Sequence, residues 1–533
     1  MKSLIRPASL GASPLVRDYL TSVPAALDFY GGSPFSIDSF HAKLKDVQRR
    51  FGSDERSAAA AALRPTSDRA RERLDRFVKD GGAVVTTGQQ AGFLTGPLYT
   101  IHKAASAIAL AKHLETRLDV PVLPVFWVAS EDHDWAEVNH TVLIDRRGEL
   151  QRYELEGRDQ RPLPMSERQL EGDLDILCDH ITQSVGATRH NEEYVRQIID
   201  PYRREGATVA GAFSEAFQAL FAGSDLLVTD AADPAVKQAS LGVLKEALTD
   251  ASEHEARLSA RSKEMAGRGY GSQVAVLERG VNVFFSSEGG RHRLYRKGED
   301  FVVRERKGTI LREELLQTLL AEPERFSPNV FLRPVVESAV FPTLAYVGGP
   351  GEIAYFAQVT ALFDAYGIAP PVAVPRYSAL VVERAVERVL EGLELTIEDV
   401  REPREALVER LARREVPGPV GDGIGRIRDD LAAGFERLID EAVRLDPTLG
   451  GSLGSIRNRE LAWMARAERT IVGAIKRGDR LSLDRLDRVL DALRPGGSAQ
   501  ERVLNVLPYL GRYGPHFLRE LERSIGESWR LPE

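Results

Sequence analysis

The chain has 533 residues, more than one hydrophobic core usually supports, and its 43% hydrophobic and 28% charged content is that of an ordinary globular protein. A net charge of -8 and a pI near 5.9 argue against a surface for nucleic acid or anionic membrane, and the lone Cys178 excludes an internal disulfide framework and a thiolate metal site. No run approaches the roughly 18 apolar residues of a membrane span, and the N-terminal MKSLIRPASL lacks the apolar stretch of a signal peptide, so a cytoplasmic protein without a membrane partner is expected.

In chain order, the first clear strand is AVVTT (83–87), followed by the glycine-punctuated turn GQQAGFLTGP. A helix comes next, with Leu98, Ile101, Ala105 and Ile108 at helical spacing and Gly96 and Pro97 where an N-cap and first-turn proline belong. The β-rich runs PVLPVFWVA (121–129), DLLVTD (225–230), VFPTLAYVGG (340–349) and PPVAVP (370–375) alternate with helical patterns, which predicts a parallel α/β sheet. Two stretches interrupt it. Residues 145–220 are mostly polar and read as a connecting insertion in which Cys178 takes an apolar helix position; residues 268–308 alternate through VAVLERG, VNVFF, RHRLYRK and FVVRERK around Gly289 and Gly290, a β-meander signature. Beyond residue 383 the spacings of Leu431, Phe435, Leu438, Ala442 and Leu445, and of Met464, Ala467, Ile471 and Ala474, predict antiparallel coiled-coil helices broken at Pro417, Pro419 and the Asp446 to Gly454 stretch. The expected organisation is a core over 1–144, 221–267 and 321–384, insertions at 145–220 and 268–320, a dimerising helical arm at 385–500, and a segment returning to the core at 501–533.

Ligands of an open parallel sheet bind outside the carboxyl ends of its strands, so the polar strand ends are the candidates for chemistry. At the first, Gln89, Gln90, Gly92, Thr95 and Gly96 lead into a helix on which Tyr99, His102 and Lys103 share one face, a cradle for an anionic ligand. At the second, Glu131, Asp132, His133, Asp134, Glu137 and His140 crowd around Asn139, an arrangement suited to proton transfer or metal binding. At the third, Gly349-x-Gly351-x-x-Ala354 matches a relaxed dinucleotide fingerprint with Glu352 at the helix start, but no acidic residue follows at the distance a ribose requires, which disfavours nicotinamide. Asn329, Arg333 and Arg376 offer groups that clamp small carboxylates, and Tyr346, Gly348 and Tyr355 complete the expected binding set.

TTGQQAGFLTGPLYTIHKA, PVFWVASEDHDWAEVNH, FSPNVFLRPVVESAVFPTLAYVGGPGEIAYFAQ and ERVLNVLPYLGRYG together resemble, in order along the whole chain, the bacillithiol biosynthesis cysteine-adding enzyme family. The resemblance implies a Rossmann-like core related to class I aminoacyl-tRNA synthetases, with connecting insertions and a C-terminal coiled coil that pairs protomers. It implies the last step of bacillithiol synthesis, a ligase reaction joining cysteine through an amide to the amine of glucosaminyl malate, with ATP as the donor a ligase needs. On that basis the Gln89 to Lys103 turn holds an anionic substrate or activating phosphate, and Asp132, His133 or Asp134 accepts the amine proton. Class I synthetases read H-x-G-H where this chain reads GPLYTIHK, and only Ser262-Lys263 echoes their lysine-serine motif, so the mode of carboxyl activation does not carry over. Two unlike readings stand beside it: a metal-dependent hydrolase centred on Glu131 to His140, and a non-catalytic coiled-coil scaffold.

Overall fold

The computed structural model describes residues 4–9, 11–186, 188, 190–304, 308–478 and 480–533, in two compact units: residues up to Val381 with Ala499–Glu533, and Val382–Ser498. In the first unit the five β-rich runs become parallel strands: β1 (Ala83–Gln89), β2 (Val122–Val128), β3 (Leu227–Asp230), β4 (Thr343–Gly348) and β5 (Val372–Pro375). Every residue of β2 and of β4 is buried, as expected for strands covered on both faces. The spatial order is β3-β2-β1-β4-β5, with the short strand Arg64–Pro65 antiparallel on the β3 edge. The order reverses between β1 and β4, so the carboxyl ends of these two strands flank the switch point where a Rossmann-like sheet opens its crevice.

The helices that follow the strands carry the site. They are α1 (Leu98–Leu118), α2 (Pro234–Thr249), α3 (Arg333–Val340) and α4 (Pro350–Ala365). From Thr100 to Ala107 α1 is buried on every side, because the sheet lies against one flank and the C-terminal helices Gln500–Val503 and Pro515–Ser528 against another. Its N-cap is Pro97, one position beyond the expected Gly96, since the chain enters through three successive left-handed residues, Leu94 (φ 53°), Thr95 (φ 72°) and Gly96 (φ 71°). That conformation costs about 1–3 kcal/mol for each non-glycine residue. Asn505 offsets it, its amide donating to Leu94 O at 2.7 Å and Gly96 O at 2.9 Å, while Leu98 N–H donates to Leu504 O at 2.8 Å.

Both interruptions are folded against this core. The connecting insertion, expected from residue 145, shares a hairpin with the core: His140–Ile144 pairs with Leu150–Glu154 ahead of helices Leu174–Val185 and Val209–Leu220. Phe217 packs on Phe126 of β2 with ring centroids 4.2 Å apart, and burial raises the Cys178 thiol to about 11, consistent with an inert core position. The meander pairs Gly280–Ser287, Gly290–Lys297 and Asp300–Val303 through the expected Gly289-Gly290 turn. Its fourth strand is Phe326–Pro328, not VAVLERG: Gln358 accepts from Gln273 N–H and Val274 N–H and donates to Val274 O, so a side chain satisfies this backbone in place of a neighbouring strand. The end of FVVRERK, residues 305–307, lies outside the described residues.

The second unit is helical, built of Arg384–Gly392, Arg404–Arg414, α5 (Gly418–Leu445), α6 (Leu449–Gly478) and Arg480–Leu493. Of the break expected over Asp446 to Gly454 only 446–448 form the turn between α5 and α6, where the Asp446 carboxylate accepts Thr448 N–H at 2.8 Å. The glycines from 450 on lie within α6 and Pro419 in the first turn of α5, and the two long helices pack as an antiparallel coiled-coil pair. Among the described residues no helix is long and apolar enough to cross a membrane.

Candidate active site

The carboxyl ends of all five parallel strands open into one cavity of about 540 Å³. Residues following the strands form its floor, Phe284, Arg291 and Arg293 of the meander form one wall, and Arg502 of the C-terminal segment reaches its rim.

On the β1 side the cradle is built from polar side chains more than from glycine backbone. A Cβ on Gly88 would lie 2.7 Å from Trp127 O, and one on Gly92 3.0 Å from Gly96 Cα, so these glycines serve close approach of chain to chain. Buried Lys103 donates to Gly88 O at 2.7 Å and Gln89 Oε1 at 2.9 Å and pairs with Glu352 at 2.6 Å. Burial draws its ammonium below the ordinary lysine range, and Glu352 opposes that shift. Gln89 donates to Tyr99 Oη at 2.9 Å, and burial, with Glu137 nearby, pushes the Tyr99 phenol up to about 12.

On the β2 side the amide of Gln90 bridges two carboxylates, donating to Asp132 Oδ2 at 2.9 Å and Glu137 Oε2 at 2.7 Å. Burial raises Glu137 above the usual glutamate range against that hydrogen bond, and Asp134 and Asp132 push in the same upward direction. Asp132 also accepts His133 N–H at 2.7 Å. Arg291 Nη1 lies 2.9 Å from His133 Nδ1. Guanidinium only donates, so Nδ1 is the acceptor and Nε2 carries the proton of a neutral ring, the state that burial and Arg291 both favour by lowering the histidine.

On the β4 and β5 side each basic group has a carboxylate. Arg333 pairs with Glu337 at 2.6 Å and donates to Tyr355 Oη at 3.2 Å. Glu352 takes Gly349 N–H at 2.8 Å and also accepts from Tyr346; burial would raise its carboxyl, but Lys103 and these donors hold it below the ordinary range. Arg376 grips Glu501 through two nitrogens at 2.9 and 2.6 Å.

Of the expected residues, the cavity brings together Gln89, Gln90, Tyr99, Lys103, Asp132, His133, Asn329, Arg333, Tyr346, Gly349, Gly351, Glu352, Tyr355 and Arg376. Asn329 serves mainly the turn ahead of α3, its oxygen accepting Phe331 N–H and Leu332 N–H and its amide donating to Asn282. Eight others stand elsewhere. Gly92, Thr95 and Gly96 belong to the buried turn closed by Asn505, and Gly348 ends β4 behind the lining. His102 does not share the cavity face with Tyr99 and Lys103: it lies 100° around the helix from Lys103 by α-helical geometry, and its Nδ1 meets Glu501 at 2.8 Å in the interior. Asp134 caps the short helix Trp135–Val138, while Asn139 donates to Glu154 and His140 contacts Asn139 in the hairpin. Glu131 turns to buried Lys237 of α2, so the acidic cluster does not converge on one point, and among the described residues no group of three His, Cys, Asp or Glu side chains is placed to hold a metal. The lining that the strand-end argument passed over includes Arg291, Arg293 and Phe284; their segment reads as an ordinary alternating surface strand.

The chain matches two family models: the bacillithiol biosynthesis BshC N-terminal Rossmann-like domain over residues 3–377, and the BshC C-terminal coiled-coil domain over residues 379–525. Curated relatives named "Putative cysteine ligase BshC" include those of Koribacter versatilis, 33% identical and covering 96% of this chain and 95% of the relative, and Symbiobacterium thermophilum, 33% identical over 92% and 88%. The relative from Bacillus licheniformis is 28% identical over 95% of each.

Proposed function

The chain belongs to the BshC family of bacillithiol biosynthesis, and from that premise we propose that its cavity joins the carboxyl carbon of L-cysteine to the amine of glucosaminyl malate. The observation that carries the reading is the carboxylate pair Asp132 and Glu137, bridged by Gln90 within the same cavity as the paired cations of the switch point. An amine attacks only after losing its proton, and this pair is placed to accept it. Of the three bases expected from sequence, Asp132 keeps that role. His133 presents an N–H at Nε2 and acts as a hydrogen-bond donor to oxygen on the reacting carbon, while Asp134 is spent on a helix cap.

Cysteine carboxylate is a poor electrophile, and ATP, when bound, supplies the activation that gives it a leaving group. The turn from β4 into α4 suits its phosphates: Gly351 has no heavy atom closer than 4.0 Å to where a Cβ would stand, and the start of α4 offers partial positive charge. The Gly351 N–H would meet a phosphate there, whereas Gly349 N–H and Lys103 are already engaged by Glu352 and would have to exchange that partner for the phosphate. The protein acts in this reading as a cytoplasmic homodimer joined through the arm.

The direct test incubates purified protein with cysteine, glucosaminyl malate and ATP, with mass spectrometry of every product. Bacillithiol appearing together with ADP or AMP is expected. Folded protein that forms no amide with ATP or any other nucleoside triphosphate would overturn the ATP-dependent assignment.

A further inference from the structure

Charge matching around the cavity is complete except at one place. Lys103 faces Glu352, Arg333 faces Glu337 and Arg376 faces Glu501, each at 2.6 Å, and Lys237 is held by Glu131. Arg291 is only 6% exposed, yet its nearest carboxylate is Asp132 at 3.9 Å, whose oxygens already accept from His133 N–H and Gln90. Its hydrogen bonds go to Ser327 Oγ, Pro328 O and His133, all neutral acceptors. The side chain of Arg293, on the same strand, has no hydrogen bond or ion pair among the described residues, only its contact with Phe284. Both guanidiniums lie over the Phe284 ring, at 3.8 and 4.7 Å from its centroid. Arg502 has no carboxylate partner among the described residues either, but it is exposed at the rim.

Burial works against this arrangement, drawing Arg291 down to about 10 and lowering Arg293 as well. Two partly desolvated cations over one ring, whose one paired carboxylate among the described residues is the distant and already hydrogen-bonded Asp132, form a receptor for negative charge on a small ligand. We propose that the stack of Arg291, Phe284 and Arg293 binds the dicarboxylate end of the acceptor substrate, the malyl group of glucosaminyl malate. Because Arg291 also touches His133 beside Asp132, this docking delivers the sugar amine to the carboxylate pair bridged by Gln90. The identity of the dicarboxylate rests on the function proposed above; the anion receptor does not.

Calorimetric titration of the full chain with glucosaminyl malate, with its malyl dimethyl ester and with L-cysteine tests the assignment in wild type, Arg293→Ala and Arg293→Lys. Half-buried Arg293 is chosen because its loss removes no internal hydrogen bond. Arg293→Ala should weaken glucosaminyl malate about 10- to 100-fold, the worth of a charge-assisted hydrogen bond, and flatten the salt dependence of binding. Cysteine affinity should stay unchanged, Arg293→Lys should recover part of the loss, and the ester should bind wild type and Arg293→Ala alike. Wild-type affinity for glucosaminyl malate in Arg293→Ala overturns the proposal and leaves the reaction assignment standing. Wild type that ignores glucosaminyl malate but binds L-malate or pyrophosphate through Arg293 keeps the receptor and removes the substrate assignment. Failure to bind any of these anions removes both.

Discussion

Glu137 is exposed at the cavity mouth, and its raised proton affinity comes from partial desolvation near Tyr99 and from the like charges of Asp134 and Asp132. A base must be unprotonated to accept a proton, so activity should rise with pH through this raised value, and the acid limb of kcat/KM should lie above the ordinary glutamate pKa of about 4.3. Glu137→Gln should lower kcat by about 10²- to 10⁴-fold and abolish that limb; a limb that persists unmoved in the variant assigns the titration to another group. Lys103 gives a second residue-scale prediction. Lys103→Met leaves the partly buried Glu352 without its cation, at a cost of about 1–3 kcal/mol, readable in urea unfolding, and the double variant with Glu352→Gln should recover stability without recovering activity. Gln90 and Asp132 are legible from sequence because each follows a strand end, and Lys103 because helical spacing puts it on one face with Tyr99. His102 was misplaced because helical spacing gives a direction but not the neighbour found there, and its neighbour Glu501 is remote in sequence.

The entry to α1 joins two remote elements, the turn 92–97 and the segment around Asn505. Asn505→Ala strips the hydrogen bonds from two buried carbonyls, each costing about 1–3 kcal/mol, and releases a turn already strained at Leu94 and Thr95. Faster hydrogen exchange of the amides at 94–98, with the sheet amides still protected, is the expected signature; uniform loss of protection would mean that the turn is not a separate unit. Glu501 ties the same segment to β5 and α1. Burial alone would raise its carboxyl, but His102 and Arg376 outweigh burial and hold it at about 2, well below the ordinary glutamate range. A depressed carboxyl stabilises the fold above its unfolded pKa and loses that contribution as pH falls through the folded value. The stability gap between wild type and Glu501→Gln should therefore be constant from neutral pH to about 4.5 and shrink between about 4.5 and 2; a gap growing toward low pH would contradict the ion-pair account. Such elements were only half legible. The strands show as continuous apolar runs, whereas VAVLERG alternates like a strand and is claimed instead by Gln358, a choice made by tertiary contacts.

At the scale of the molecule, alternation of strands and helices revealed the parallel core, and the change of composition revealed the arm, because both follow from periodicity. Strand order is another matter, since the pairing of β1 with β4 joins segments more than 250 residues apart, as the bond of Thr86 to Ala345 shows with a separation of 259. The arm carries the last prediction. On α5, Ile427, Leu431, Phe435 and Leu438 follow coiled-coil spacing around a groove at Gly434. Pairing with α6 leaves Ile427 53% and Leu438 51% exposed, an apolar face wider than the hairpin covers. A second copy of the arm is the occupant we expect, so light scattering should give twice the chain mass for wild type and the single-chain mass for Leu438→Glu, because a carboxylate at the centre of the buried face has no partner. Every residue lining the cavity belongs to the first unit, so the monomeric variant should keep its affinity for glucosaminyl malate. A Leu438→Glu protein that remains dimeric places the interface on another face.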